Sequence, residues 1–195
     1  MASRKDVHGF GPLLAAACAM GLLAAVRRAF VGDGSAENWS VWKRYFPRWV
    51  GVLDFVHALT YVYAAAMAGR SFAEGWPTYE RWIRWVWAEQ VSRVLEELTA
   101  RQQELGEVTP LDKEGSHRQV VQETLPYLSN QQDKMRYDEY RQQGLPLMSS
   151  HVESVIKQSN YRVKGTEKFW SEEGAEALLQ LRADFLSDDE PLEQF

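Results

Sequence analysis

The sequence predicts a mostly α-helical protein with a small β component. Apolar residues recur at helical spacing along most of the chain, whereas only segments 28–32 and 49–55 have the short, continuous apolar character of buried strands. The 195 residues are 45% hydrophobic and 25% charged, so the chain can bury a core. Because two strands alone make a poor sheet, we expect an incomplete α/β core joined to a large helical part.

Charge and cysteine content exclude several classes of protein. The net charge of -5 argues against a chain coated in positive charge for nucleic acid, although a local basic face is compatible with it. A single cysteine, Cys18, excludes an internal disulfide framework and a cysteine-rich zinc module.

The segment 10–26 is almost wholly apolar and follows Arg4 and Lys5, as in a signal peptide. It is shorter than the roughly 20 apolar residues of a membrane span, is rich in alanine, and leads through Arg27 and Arg28 directly into the first predicted strand. We therefore expect a buried core helix, a cytoplasmic protein and no membrane partner. A membrane-anchored protein that uses this segment is the alternative.

The first predicted strand, 28–32, ends at an Asp33-Gly34 turn. Ser35 can cap the helix that follows, in which Trp39 and Trp42 are helically spaced, and Pro47 ends that helix. The second strand, 49–55, comes next. Beyond it the pattern predicts helices and one polar loop, in the order helix 58–68, helix 78–103, loop 106–116, helix 117–132 and helix 135–143.

Past residue 149 the pattern predicts a helix over 149–163, a break at Gly165, a last helix capped by Ser171, and an acidic tail. Lys157, Arg162, Lys164 and Lys168 form a basic run here, interleaved with aromatic residues. The run fits a phosphate backbone and a solvated helix face equally well.

Three acids could carry chemistry. Asp33 follows a strand between two glycines, where open α/β sheets place their sites, although an ordinary Asp-Gly turn explains the spacing better. Asp54 and His57 end the second strand and could share a metal, or His57 could simply be satisfied by backbone. Glu153 could complete a metal site, or could close a capping box with Ser150.

Three segments together resemble one protein family. AFVGDGSAENW and VLDFVHALTYVYAAA give a strand, Asp-Gly, a Trp-rich helix and a second strand ending in Leu-Asp-x-x-His. The segment from NQQDKMRYDEY to LLQLRA has a Tyr-x-x-Tyr run before Gly-Leu-Pro, followed by Ser-x-x-x-Glu and Trp-Ser-x-x-Gly-Ala. This pattern resembles DDE-type insertion-sequence transposases with an RNase H-like core, most closely the bacterial group labelled ISKra.

The resemblance implies that Asp33 is the second acid of the DDE set and Glu153 the third, with Asp54 and His57 as the Asp-x-x-His signature. Where the group more often has Gly-Ser-Gly, this chain has Ser149-Ser150-His151, so His151 would crowd the metal or add a ligand. The implied domains are a partial RNase H-like core, a helical insertion, core helices carrying the third acid and an acidic tail, at 1–68, 69–145, 146–186 and 187–195.

The implied function is metal-dependent DNA cleavage and strand transfer, with Mg²⁺ or Mn²⁺ bridged by carboxylates and transposon ends as substrate. Only Asp6 precedes Asp33, so the first acid has no candidate on a strand, and we expect a truncated, inactive enzyme. It would act as a homo-oligomer or with a missing N-terminal transposase part. The alternative is a non-catalytic helical protein that binds DNA or another protein.

Overall fold

A computed structural model describes residues 10–19 and 21–149 of the chain. Several predictions fall outside these residues: the helices after residue 149, the acid Glu153, its neighbours Ser150 and His151, and the basic run Lys157, Arg162, Lys164 and Lys168. Within the described part, the expectation of a mostly helical protein with a small sheet is confirmed.

The described residues form seven α-helices, two β-strands and two 3₁₀ turns. They are α1 (Phe10–Ala19), a 3₁₀ turn (Leu22–Ala24), β1 (Ala29–Gly32), α2 (Ala36–Tyr45), β2 (Val50–Leu53), α3 (Phe55–Met67), α4 (Phe72–Trp87), α5 (Val91–Leu105), α6 (His117–Gln131), a 3₁₀ turn (Gln132–Lys134) and α7 (Tyr137–Gln142). Among the described residues, none of these helices has the length and apolar character needed to cross a membrane.

In residues 21–149, two parallel strands joined through α2 form the sheet. Its register runs from Ala29 opposite Val50 to Gly32 opposite Leu53. Because the strands are parallel, their carboxyl ends lie at the same edge of the sheet. The residues that follow them, Asp33 and Asp54, are therefore brought to that edge together.

Local signals fix the helix between the strands. The Ser35 side chain accepts a 3.3 Å hydrogen bond from the backbone N–H of Asn38, which caps α2 as predicted. The helix ends at Tyr45, just before Pro47, whose ring disfavours helical geometry in the residue preceding it.

The second strand is shorter than the predicted 49–55. It ends at Leu53 because the carboxylate of Asp54 accepts a 2.9 Å hydrogen bond from the backbone N–H of His57 and so begins α3. Phe55, predicted to lie on the strand, is the first residue of that helix. An N-cap whose side chain bonds two or three residues ahead defines a helix start, and this local bond overrides the β character of the apolar run.

The prediction of one helix over 78–103 is wrong, because the chain turns between α4 and α5. α4 begins earlier, at a capping box formed by Ser71 and Glu74. It ends at Trp87, and Glu89 adopts a positive φ of 60° that stops the helix. The turn lets both helices bury their apolar faces, and Glu97 of α5 accepts a 2.7 Å hydrogen bond from the indole N–H of Trp82 on α4.

The core lies around α3, whose small residues allow neighbouring helices to approach closely. α3 packs against α4 and α6, and α7 covers β2. The hydroxyls of Tyr137 and Tyr140 donate to the backbone carbonyls of Leu53 and Gly51 at 3.0 and 3.3 Å. Among the described residues, fully buried side chains come from β2 and five of the helices, and include Val52, Leu53, Ala58, Val62, Trp82, Val94, Leu98, Val121, Leu128 and Tyr137.

Candidate functional site

Two of the three predicted acids, Asp33 and Asp54, lie at the carboxyl edge of the sheet. Gly32 and Leu53 are the last paired residues, and the backbone N–H of Asp54 donates a 2.7 Å hydrogen bond to the carbonyl of Gly32. Neighbouring strands are about 4.8 Å apart, so Asp33 and Asp54 leave the sheet side by side.

Asp33 holds the turn between β1 and α2. Its Oδ1 accepts hydrogen bonds from the backbone N–H of Ser35 at 2.9 Å and from the side-chain amide of Asn38 at 2.8 Å. Partial burial raises the pKa of the Asp33 carboxyl, but the hydrogen bonds from Ser35 and Asn38, with the charge of nearby His57, together lower it below its ordinary value. The carboxylate is therefore ionised at neutral pH, on a residue that is exposed to solvent.

Asp54 is far more enclosed. The residue is 4% exposed, and its Oδ1 caps α3 through the bond from His57 N–H. Burial is the largest cause that raises the pKa of Tyr127 and of Tyr137. The charge of Asp54 raises both pKa values further. The cap shows that Asp54 begins α3, and its predicted role in a metal site stays a prediction.

His57 lies on the first turn of α3, half-buried among aromatic rings. Its ring centroid is 5.6 Å from that of Tyr61 and 6.4 Å from that of Tyr127. The His57 ring thus neighbours Tyr127, whose hydroxyl donates to the backbone carbonyl of Asp33. Asp33, Asp54 and His57 follow the carboxyl ends of the two paired strands in the described chain, and their predicted roles in one site stay predictions.

Sequence reasoning missed two residues of α6 that hold this region. The hydroxyl of Tyr127 donates a 2.9 Å hydrogen bond to the backbone carbonyl of Asp33, and the Gln131 amide donates 3.2 Å to that of Gly34. The ring of Tyr127 also stacks on Tyr61, with centroids 3.8 Å apart. Because Tyr127 and Gln131 are four residues apart, the sequence predicts that they lie on one face of the helix. It does not predict which loop packs against that face.

Gly34 is required by this packing. Its φ is +93°, which favours glycine, and a Cβ built on it would lie 2.8 Å from the Tyr127 ring. The side chain of Tyr127 therefore occupies the space that any other residue at position 34 would need.

The described residues supply part of a cation site. The N–H of Ser35 and the side-chain amide of Asn38 both bond Oδ1 of the Asp33 carboxylate, and the Ser35 side chain also forms a hydrogen bond with this group. Carboxylate oxygens are the ligands that Mg²⁺ and Mn²⁺ prefer. Residues 10–19 and 21–149 contain no group of three or more His, Cys, Asp or Glu side chains able to hold a metal. The donor set thus fits a hard cation in type, while further ligands would have to come from elsewhere.

The third predicted acid, Glu153, lies outside the described residues, as do Ser150, His151 and the basic run. The predicted convergence of Asp33 and Glu153 and the predicted DNA contacts of Lys157, Arg162, Lys164 and Lys168 therefore stay predictions.

Comparisons of the chain with protein-family models, with curated protein sequences and with solved structures found no match.

Proposed function

We propose that this chain carries the second and third acids of a DDE-type transposase, whose chemistry is metal-dependent cleavage and strand transfer of DNA. The observation that carries the proposal is the in-register parallel pairing that ends at Gly32 and Leu53, so that Asp33 and Asp54 emerge side by side. The order of strand, Asp-Gly, Trp-rich helix and strand ending in Asp-x-x-His is the order on which the resemblance to the family rests.

Each residue has a distinct proposed task. Asp33 is ionised and offers its carboxylate as a direct cation ligand, while Ser35 and Asn38 fix its orientation through Oδ1. Tyr127 holds the backbone of the Asp33 turn. A bound Mg²⁺ or Mn²⁺ supplies the Lewis acidity that activates a hydroxyl for attack on a phosphodiester and stabilises the leaving oxygen.

Glu153 is proposed as the third acid, and the described chain sets a limit on its distance from the site. The carbonyl of Leu147 accepts a 2.9 Å hydrogen bond from the N–H of Phe55, the residue after Asp54. Glu153 follows Leu147 by six positions (153 minus 147), so a fully extended chain would span at most about 20 Å between them. Covalent geometry thus allows the proposed convergence.

The proposal assigns the first acid of the set to no residue of this sequence. We therefore propose that the chain by itself does not cut DNA. The substrate would be DNA at the transposon ends.

A second function is favoured by a specific observation. Both carboxylates serve as structural acceptors, Asp33 for Ser35 and Asn38 and Asp54 for His57, and Asp54 is nearly fully buried. A non-catalytic protein that binds DNA or another protein would keep the two acids for these roles alone.

Calorimetry with Mg²⁺ and with Mn²⁺ separates the two functions. Asp33→Asn keeps the Oδ1 acceptor but removes the charge, and Asp112→Asn is a matched control because Asp112 likewise accepts a backbone N–H, from Thr109 at 2.7 Å. The transposase proposal expects cation binding by the wild type and by Asp112→Asn that is lost in Asp33→Asn. Absence of binding in the wild type, or equal binding in all three proteins, would favour the non-catalytic function.

A further inference from the structure

The two lateral edges of the sheet, which are the outer sides of β1 and β2, differ in what covers them. The N–H of Val50 donates a 3.1 Å hydrogen bond to the carbonyl of Arg28, and that of Asp54 donates 2.7 Å to the carbonyl of Gly32. Because Ala29 lies opposite Val50, the ladder uses the backbone groups of even-numbered residues in both strands. The N–H and C=O groups of the odd-numbered residues therefore point outward, away from the other strand.

The outer edge of β2 is covered by α7. The odd-numbered residues of β2 are Gly51 and Leu53, and their carbonyls accept hydrogen bonds from the hydroxyls of Tyr140 and Tyr137 at 3.3 and 3.0 Å. Both tyrosines are buried. A strand that paired with β2 on this side would have to displace them, so this edge is closed.

The outer edge of β1 is open. Its odd-numbered residues are Ala29 and Val31, and within residues 10–19 and 21–149 no hydrogen bond reaches the backbone N–H or C=O of either. Both residues are only half-buried. The strand, Ala-Phe-Val-Gly, also lacks the lysines and prolines with which proteins protect an edge from a further strand. β1 therefore presents two donors and two acceptors to an incoming strand.

We propose that β1 pairs with β1 of a second copy of this chain, in antiparallel orientation across a two-fold axis at Phe30. In this register Ala29 lies opposite Val31 of the second copy, and Val31 lies opposite its Ala29. Each such pair exchanges two N–H···O=C hydrogen bonds, so every open group of both edges gains a partner. The two sheets merge into one of four strands, in the order β2-β1-β1-β2. Two strands alone are marginal, whereas three or more with an apolar face are stable.

The side chains and charges of this register are also self-complementary. Phe30 lies opposite its own counterpart in a non-hydrogen-bonded pair, where facing side chains are closest and aromatic pairs are favourable. The same register sets Arg27 across from Asp33 of the second copy at each end of the ladder, and both residues are exposed. Opposite charges at facing positions stabilise a pair of strands, and like charges destabilise it. The inference does not depend on the proposed function, because it uses only β1 and the residues that flank it.

Analytical ultracentrifugation of the full chain over a series of concentrations tests the proposal. We expect a reversible monomer–dimer equilibrium in the wild type. Val31→Pro removes an outward N–H and leaves the β1–β2 ladder intact. It should weaken the dimer by about tenfold or more, because each copy loses one donor to the other. Val31→Thr keeps both the N–H and the β-branched shape, so this matched control should dimerise as the wild type does.

Charge reversal tests the register without a proline, and it decides the matter if circular dichroism shows that Val31→Pro does not fold. Arg27→Glu sets a glutamate across from Asp33 at both ends of the ladder. It should weaken the dimer by about threefold or more at low salt, and by less at high salt. Lys43→Glu reverses an exposed charge on α2 and should leave the dimer unchanged.

Amide hydrogen exchange locates the interface directly. We expect the N–H groups of Ala29 and Val31 to exchange more slowly in the dimer than in the monomer. A chain that stays monomeric up to about 1 mM would overturn the proposal, even if a strand of another protein protected these amides. A dimer that leaves the two amides unprotected, or equal dimerisation of the wild type and Arg27→Glu, would also overturn it.

Discussion

The hydroxyl of Tyr127 donates a 2.9 Å hydrogen bond to the backbone carbonyl of Asp33, across 94 residues of sequence. Four residues further along α6, the Gln131 amide bonds the carbonyl of Gly34. A helix from the middle of the chain therefore sets the conformation of the turn that carries the candidate catalytic acid.

Replacing Tyr127 with Phe tests this hydrogen bond. The change keeps the stacked ring but removes the donor, and we expect the free energy of unfolding to fall by about 1 kcal/mol, as for a typical intramolecular hydrogen bond. Urea unfolding measures the loss. Tyr61→Phe is the control, because no hydrogen bond to the Tyr61 hydroxyl is present in the described chain. Equal losses in the two variants would mean that the hydroxyl of Tyr127 does not hold the turn.

Gly34→Ala should be more damaging than an alanine at another glycine of positive φ. Gly34 combines a φ of +93° with a Cβ position 2.8 Å from the Tyr127 ring, whereas Gly115 has a φ of +75° and nothing within 4 Å. We expect Gly115→Ala to cost about 1 kcal/mol for backbone strain and Gly34→Ala about 3 kcal/mol, since Tyr127 must also move. Similar unfolding midpoints for Gly34→Ala and Gly115→Ala would show that the Tyr127 ring moves aside at little cost.

Acid should weaken the fold partly through Asp33. The folded pKa of Asp33 lies below its ordinary value of 3.8, so its contribution to stability is present above that value and is lost as pH falls through the lower folded pKa. Urea unfolding between neutral pH and about pH 3 should therefore show a steeper decline for the wild type than for Asp33→Asn. Asn38→Ala removes one of the bonds that lower the pKa. Its decline should be smaller than that of the wild type and should level off at higher pH, and an unchanged profile would contradict the assignment.

Alkali should weaken the fold through buried tyrosines. Burial is the largest cause that raises the pKa of Tyr127, Tyr137 and Tyr140, the last to about 12. A raised pKa means that the stabilising contribution is complete below the ordinary value of 10 and is lost as pH rises through the folded pKa. Circular dichroism should detect unfolding that begins above about pH 10, together with the absorbance of ionised tyrosine. Ionisation of all tyrosines near pH 10 in a folded protein would refute their burial.

Glu97 should stabilise the packing of α5 on α4, because it accepts hydrogen bonds from the neutral indole of Trp82 and from the charged side chain of Arg81. Its Oε2 accepts from the indole N–H of Trp82, which is 1% exposed, and from Arg81. Glu97→Ala leaves that buried N–H without its acceptor and should cost about 2 kcal/mol, whereas Glu97→Gln keeps an acceptor and should cost less. Glu80→Ala, which breaks an exposed pair with Arg84, should change stability by only about 0.5 kcal/mol. A Glu97→Ala cost no larger than that of Glu80→Ala would contradict the role of the indole.

Much of the fold was predictable where the signal is local. Ser35 caps α2 through its own side chain, Pro47 marks its end, and the Gly- and Pro-broken segment 106–116 is a loop between α5 and α6. Such signals act over a few residues, so they hold in any tertiary context. The helix boundary at Glu89 was not predictable in this way, because the apolar spacing continues through it and only packing of α4 on α5 selects the turn.

The sequence by itself determined that two short apolar strands each end in an acid, and that helices make up most of the chain, because periodicity and capping residues encode these features locally. Only the tertiary structure decided that the strands pair in parallel with Asp33 beside Asp54, and that Tyr127 and Gln131 hold the turn. These contacts join residues far apart in sequence, and their energies depend on burial and partner geometry that exist only once the core has formed.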